Sequence, residues 1–214
     1  MSWIIKTIIY QLILLLTALI GLIHYKKMDK ASKVIFGIIT LTFFSEAIAF
    51  ASAIIYKNNL LIYHLFNPIQ FYIICYYFNV TIDGFKTNNI GIFLGCAGLV
   101  YSIINTLFFQ NPFSEMNTNF LIPESILIIA MSLYSFYELL ASDIYDVYSN
   151  TRFWFSAFLL TFWSFTFCYW LIGPTLYKTS GNTLWLDTMI WTINILCYSG
   201  FAIVFLSFRK MKKV

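Results

Sequence analysis

Charge is scarce in this sequence. Acidic and basic side chains make up 10% of its 214 residues, and hydrophobic ones 60%. A soluble domain carries about a quarter charged residues. So few charges cannot cover a water-facing surface, so most of the surface must meet lipid. Histidine is rarer still: the 2 in the chain, His24 and His64, lie in different apolar segments. A zinc centre of the kind found in membrane ceramidases needs several histidines, and this pattern excludes it. The 4 cysteines, Cys75, Cys96, Cys168 and Cys197, fall within apolar runs. They lack metal-ligand spacing and occupy no loop in which an oxidising compartment would pair them. They read as small interior residues. No cofactor is expected. No basic patch stands apart from the ends of apolar runs, which argues against nucleic acid as a partner. No internal repeat is evident, against transporters assembled from triple-helix repeats. Residues 184–208 hold no lysine, and a retinal Schiff base would need one there.

What the sequence has in quantity is uncharged runs of spanning length. Seven segments stand out, at 4–24, 34–56, 60–82, 90–109, 120–141, 153–173 and 184–208. Each is long enough to cross about 30 Å of hydrocarbon at 1.5 Å per helical residue. Only helices and closed barrels span lipid, because every backbone polar group must be paired internally. Barrel strands would alternate over about ten residues instead. The expected fold is all-α, a single seven-helix membrane domain over residues 1–214 with the lipid bilayer as its first partner. The basic cluster "HYKKMDKASK" follows the first run rather than preceding it, and no small-x-small site stands out. That run reads as a first span, not a cleaved signal peptide.

Orientation follows from the basic residues. With the amino terminus outside, Lys26, Lys27, Lys30, Lys33, Lys86, Arg152, Arg209, Lys210, Lys212 and Lys213 are cytoplasmic. Lys6, Lys57 and Lys178 remain on the other side. This positive-inside bias places the carboxyl terminus in the cytoplasm and the chain in the inner (cytoplasmic) membrane. Trp3, Trp170 and Trp185 then fall at the outer interface and Trp154 at the inner one. The connection "QNPFSEMNTNF" (110–120) is expected to form a partial lid on the outer side. Gly91, Gly95, Gly98 and Ser102 share one face of the fourth span, and Ser45, Ala49 and Ala53 one face of the second. Such small-residue stripes are seams between helices. A homo-oligomer contact is the alternative use.

The stretch "LTFFSEAIAFASAIIY" (41–56) places a carboxyl, Glu46, near the bilayer midplane. His64, Asn67 and Gln70 descend the third span at spacings of three, and Pro68 frees the carbonyl of His64 one turn earlier. Glu124 follows Pro123, Asp187 opens the seventh span, and Asn194 lies two turns deeper. A charged group at a helix centre costs about 2.5–3.5 kcal/mol on insertion scales. Several polar groups at similar depth are therefore expected to converge on one outward-open cavity rather than face lipid separately. Glu46 would be its floor and His64 its neighbour, with the seven residues together binding a ligand or a proton. Trp163 and Trp191 are candidate apolar walls. Glu138, Asp143 and Asp146 read as solvated or helix-end charges at the inner surface, and His24 as interfacial.

The stretches "YHLFNPIQFYIICYYF" (63–78), "ESILIIAMSLYSFYELL" (124–140) and "RFWFSAFLLTFWSFTF" (152–167) resemble a group of small seven-helix integral membrane proteins common in Bacteroidetes. That group's third span carries His-x-Tyr/Phe-x-Pro-Ile-Glu-Phe. His64, Phe66, Pro68, Ile69 and Phe71 match it, and Gln70 stands at the acid position. The resemblance implies a seven-helix fold and, because some members are encoded beside signalling genes, a sensory role. The first expectation is thus a sensory or ligand-binding module, with a small-molecule or lipid ligand and a signalling partner protein. A proton-coupled transporter using Glu46 is an alternative. So is a membrane-embedded lipid-modifying enzyme with Glu46 and His64 as acid and base.

Overall fold

The computed structural model describes residues 2–141, 147–179 and 184–207. Its elements are α1 (Trp3–His24), α2 (Lys30–Ile55), α3 (Leu60–Thr81), α4 (Asp83–Asn88), α5 (Ile90–Phe108), α6 (Thr118–Ala141), α7 (Thr151–Thr179) and α8 (Leu184–Ser207), with two short 3-10 turns. No strand occurs among the described residues. Six helices, α1, α2, α5, α6, α7 and α8, are long and apolar enough to cross a membrane. The all-helical, multi-pass architecture is therefore as expected. Asp143, Asp146 and the basic tail at Arg209, Lys210, Lys212 and Lys213 lie outside the described residues.

Local chemistry sets the helix ends. Asp29 caps α2, its carboxylate accepting from the Ser32 amide at 2.8 Å, as an N-cap side chain does for otherwise orphaned amides. The Asn150 side chain does the same for the Arg152 amide at the start of α7, at 2.9 Å. At the end of α1, His24 Nδ1 donates to the Ile20 carbonyl at 3.0 Å, satisfying one of the last turn's open acceptors. The six-residue α4 follows α3 directly and ends at Asn89, whose left-handed φ of 53° turns the chain into α5. Asparagine tolerates that conformation better than most residues.

The helices form a ring in which α1 packs on α2 and α8, α2 on α3, α3 on α6, α6 on α7, and α7 on α8. The remaining long helix, α5, sits outside the ring against α3. The Gly91, Gly95 and Gly98 stripe makes that seam. A Cβ at Gly91 would overlap the Cys75 carbonyl, one at Gly95 would lie 2.7 Å from the Tyr72 ring, and one at Gly98 would overlap Phe71. The close approach also lets Asn79 Oδ1 of α3 accept from the Gly91 amide at 3.1 Å, capping α5 across the interface. The stripe is thus used within one chain. Gly95→Leu is expected to push α5 off α3 and cost about 1–3 kcal/mol. The check is the thermal midpoint in detergent, which should fall well below that of Gly37→Leu, where nothing lies within 4 Å of an added Cβ.

Packing differs between the two halves of the ring. Toward the face that bears His24, the centre is filled by Ile35, Ile38 and Ile39 of α2, Ile74, Tyr77 and Phe78 of α3, Phe155 and Leu159 of α7, and Phe201, Val204 and Phe205 of α8. Toward the amino-terminal face the same helices enclose a cavity.

Candidate functional site: a central cavity in the amino-terminal half

The cavity occupies about 340 Å³, the lower end of small-molecule sites. All six ring helices contribute, and α5 does not. Tyr10 comes from α1, Thr42 and Glu46 from α2, and Tyr63, Phe66, Asn67 and Gln70 from α3. Leu121 of α6 and Met116 of the preceding connection close one side. Phe162, Trp163, Thr166, Tyr169 and Trp170 of α7 and Ile190, Asn194 and Tyr198 of α8 complete the wall. Beneath Gln70 and Trp163 the packed half leaves a void of only about 20 Å³.

Four of the seven predicted site residues meet here: Glu46, Asn67, Gln70 and Asn194. Glu46 Oε2 accepts from Tyr63 Oη at 3.2 Å, its one hydrogen-bond partner among the described residues. Asn194 Nδ2 donates to its own helix at Ile190 O, 2.9 Å away. Asn67 and Gln70 are 6% and 7% exposed, yet neither amide makes a hydrogen bond to a described residue. Buried amides are ordinarily paired. Two that are not, facing a cavity beside a carboxyl, are donors and acceptors left for water or a ligand.

His64 is not Glu46's neighbour. It lies 3% exposed and outside the cavity wall. Its Nε2 donates to the Glu115 carbonyl at 2.9 Å, and its Nδ1 lies 3.0 Å from Thr106 Oγ1. A carbonyl can only accept, so Nε2 carries a proton, and the threonine hydroxyl can serve Nδ1 as donor or acceptor. The reason is angular. At 100° per residue, Tyr63, Asn67 and Gln70 fall on one face of α3, and His64 is turned a quarter-circle away. Glu46 and His64 therefore do not form the expected acid–base pair.

His64 instead ties down the connection between α5 and α6. That segment is held further by Asn58 Nδ2 donating to Phe113 O at 2.6 Å. Asn105 Nδ2 donates to both Gln110 Oε1, at 2.9 Å, and Asn117 Oδ1, at 2.6 Å. Asn119 Nδ2 returns a bond to Asn105 Oδ1 at 3.1 Å. The connection is an amide-bonded strap that brings Met116 to the cavity. His64→Ala is expected to leave the helices intact and to speed hydrogen exchange of the amides of 110–117 by about five- to tenfold, the loss of about one hydrogen bond's worth of stability. Unchanged exchange would remove the strap role from His64.

The other expected residues lie elsewhere. Glu124 is 1% exposed and faces a separate cleft between α3, α5 and α6. Asp187 accepts from Tyr169 Oη at 3.1 Å, so it positions a wall residue without lining the cavity itself. Trp163 does line it, whereas Trp191 donates from Nε1 to Lys6 O at 2.9 Å and locks α8 to α1. Glu138 is a helix-end charge in the last turn of α6, and it also pairs with Arg152, which donates to Ser135 Oγ at 3.0 Å. All four cysteines are unbridged; Cys75 and Cys197 are interior, while Cys96 and Cys168 are exposed. The tyrosines and Thr166 of the wall had no distinguishing signal among 15 tyrosines. Tyr63 had one, its helical register with Asn67 and Gln70.

No protein-family model matches the chain, and no curated protein or solved structure matches it. What stands is the class that fold and composition define, a multi-pass helical membrane protein with a polar, aromatic-walled cavity in one half.

Proposed function

We propose that the protein is a seven-span sensory or ligand-binding membrane module, which takes a small organic amine into the central cavity and passes the change in helix packing to a partner protein. The seventh span is α3. It has the length of α1, but His64, Asn67, Gln70 and Asn79 lower its mean hydropathy. It is surrounded by α2, α5 and α6, so it has little need of a lipid-compatible surface. The positive-inside bias supports an outer amino-terminal face, which makes the cavity outward-facing in the cytoplasmic membrane. The likeness to the Bacteroidetes group through the α3 motif adds to the sensory reading.

The observation that carries the proposal is the set of open polar valences in the wall. Glu46 offers a carboxyl with a single neighbour, and Asn67 and Gln70 offer unpaired amides. Phe162, Trp163, Tyr169 and Trp170 supply aromatic faces around them. A carboxylate with aromatic rings is the combination that recognises ammonium, through charge-assisted hydrogen bonds and cation–π attraction. The test uses 2-phenylethylamine and its neutral counterpart 2-phenylethanol as probes. Trp163 and Trp170 report binding by fluorescence in purified, reconstituted protein. Saturable quenching by the amine, with the alcohol at least tenfold weaker, is the expected result. Equal response to both, or none to either, refutes the amine reading.

A further inference from the structure

Glu124 is the one acidic side chain among the described residues that is fully buried with neither carboxyl oxygen hydrogen-bonded. Leaving such a group without a partner is costly. Glu124 faces a cleft of about 180 Å³ whose apolar walls include Phe71 of α3, Leu94 and Tyr101 of α5, and Phe120 and Leu127 of α6. Ala97 of α5 and Pro123 of α6, which also line it, are both exposed on the outer surface of the bundle. The cleft thus opens sideways, toward hydrocarbon, and is distinct from the central cavity.

The backbone around the cleft is settled, so Glu124 is not needed to satisfy it. Pro123 cannot donate to the Asn119 carbonyl one turn earlier, and Tyr101 Oη donates to that carbonyl at 3.1 Å. Depth narrows the occupant. Glu124 is six residues into α6, about 9 Å along the axis from the amino-terminal end. That is the level at which a membrane-dissolved amphiphile holds its head, not the bilayer centre.

We propose that this cleft is a lateral binding site for a membrane-dissolved amphiphile with a small hydrogen-bond-donating head, a hydroxyl or an amine, whose donor meets Glu124 and whose chain leaves between α5 and α6. The apolar walls take the first part of the chain, and the carboxyl takes the donor. A bulky phosphate-bearing head is excluded twice, by the cleft's size and by its acid.

The experiment uses the full chain in phosphatidylcholine vesicles with two photoreactive probes, a sixteen-carbon alcohol and the matching primary amine. Each carries a diazirine next to its head, and labelled peptides are mapped by mass spectrometry. Labelling is expected to concentrate in 90–108 and 118–141. It should fall about tenfold in Glu124→Leu, which removes the acceptor, and persist in Glu124→Gln, which keeps one. Ala97→Phe plugs the mouth from a lipid-facing position and should lower labelling as far, without touching the buried carboxyl. Glu46→Gln should change nothing, so the outcome is independent of the central cavity. Preference for the alcohol identifies a neutral lipid hydroxyl as the source, and preference for the amine a cationic amphiphile. Labelling spread evenly over the spans, or undiminished in both Glu124→Leu and Ala97→Phe, overturns the proposal.

Discussion

Glu46→Leu should cost about a hundredfold in amine affinity and leave the bundle at least as stable as before. The two effects come from one fact, that the carboxyl is held in the interior by a single hydrogen bond from Tyr63. Placing a charged group in a spanning helix costs about 2.5–3.5 kcal/mol, and one neutral donor returns about 1 kcal/mol. Leucine removes the burial cost, which is the greater of the two. Tyr63 loses its acceptor, but its hydroxyl still borders the cavity, where water can replace it. The thermal midpoint should therefore hold or rise. Binding changes the other way. A charge-assisted hydrogen bond is worth about 1.5–3 kcal/mol, and the leucine substitution also leaves the ammonium without a counter-charge. At about 1.4 kcal/mol per factor of ten, a hundredfold loss is the central expectation. Glu46→Gln should sit between. Fluorescence titration and thermal unfolding of the same preparations check both halves. A variant that is less stable and still binds would show that Glu46 serves the fold instead of the ligand.

Glu138→Ala should be the most destabilising single change on the opposite face, by about 3–5 kcal/mol. Arg152 is 7% exposed, and its guanidinium is held by Ser135 and Glu138, with Ser156 bonded in turn to the Ser135 hydroxyl at 3.0 Å. Breaking a buried ion pair from one side leaves the other charge uncompensated, which costs more than the pair itself contributes. Glu138 also accepts from the Asp83 amide at 3.2 Å, so its loss uncaps α4 as well. The informative comparison is the double variant Glu138→Leu with Arg152→Met. Apolar residues of similar volume in place of both charges should recover most of the loss. Thermal midpoints of the two single variants and the double give the cycle. A double variant no better than Glu138→Ala would mean that the network around Ser135 and Ser156, not the ion pair, holds α6 to α7.

The α3 helix shows why the site was only partly legible. Its polar residues announced that something lies on this helix, and their spacing of three suggested one stripe. A stripe at spacing three drifts about 60° per step, so three residues cover about 120°, wide enough to belong to two surfaces. His64 went to the α5–α6 strap, while Asn67 and Gln70 went to the cavity. Glu124 and Asp187 were expected, like Glu46, in the outer half of the membrane, and were separated by which neighbour each helix turned toward. Apart from Tyr63, the tyrosines of the wall could not be told apart from lipid-facing ones, because an aromatic hydroxyl suits both an interface and an interior.

Composition and run length by themselves determined that the chain is helical, roughly where its long helices lie, and that α5 must approach a neighbour closely. These follow from a solvent that cannot pair backbone groups and from glycines that leave no Cβ in the way. The start of α2 at Lys30 and the end of α7 at Thr179 lie several residues beyond the apolar runs 34–56 and 153–173. Only the tertiary structure decided that α5 stands outside the ring, that the amino-terminal half is hollow while the other half is packed, and that the buried acids occupy separate pockets. Such outcomes depend on the rotation of each helix about its axis. In lipid that rotation is set by contact with neighbours, and no single helix records it in its own sequence.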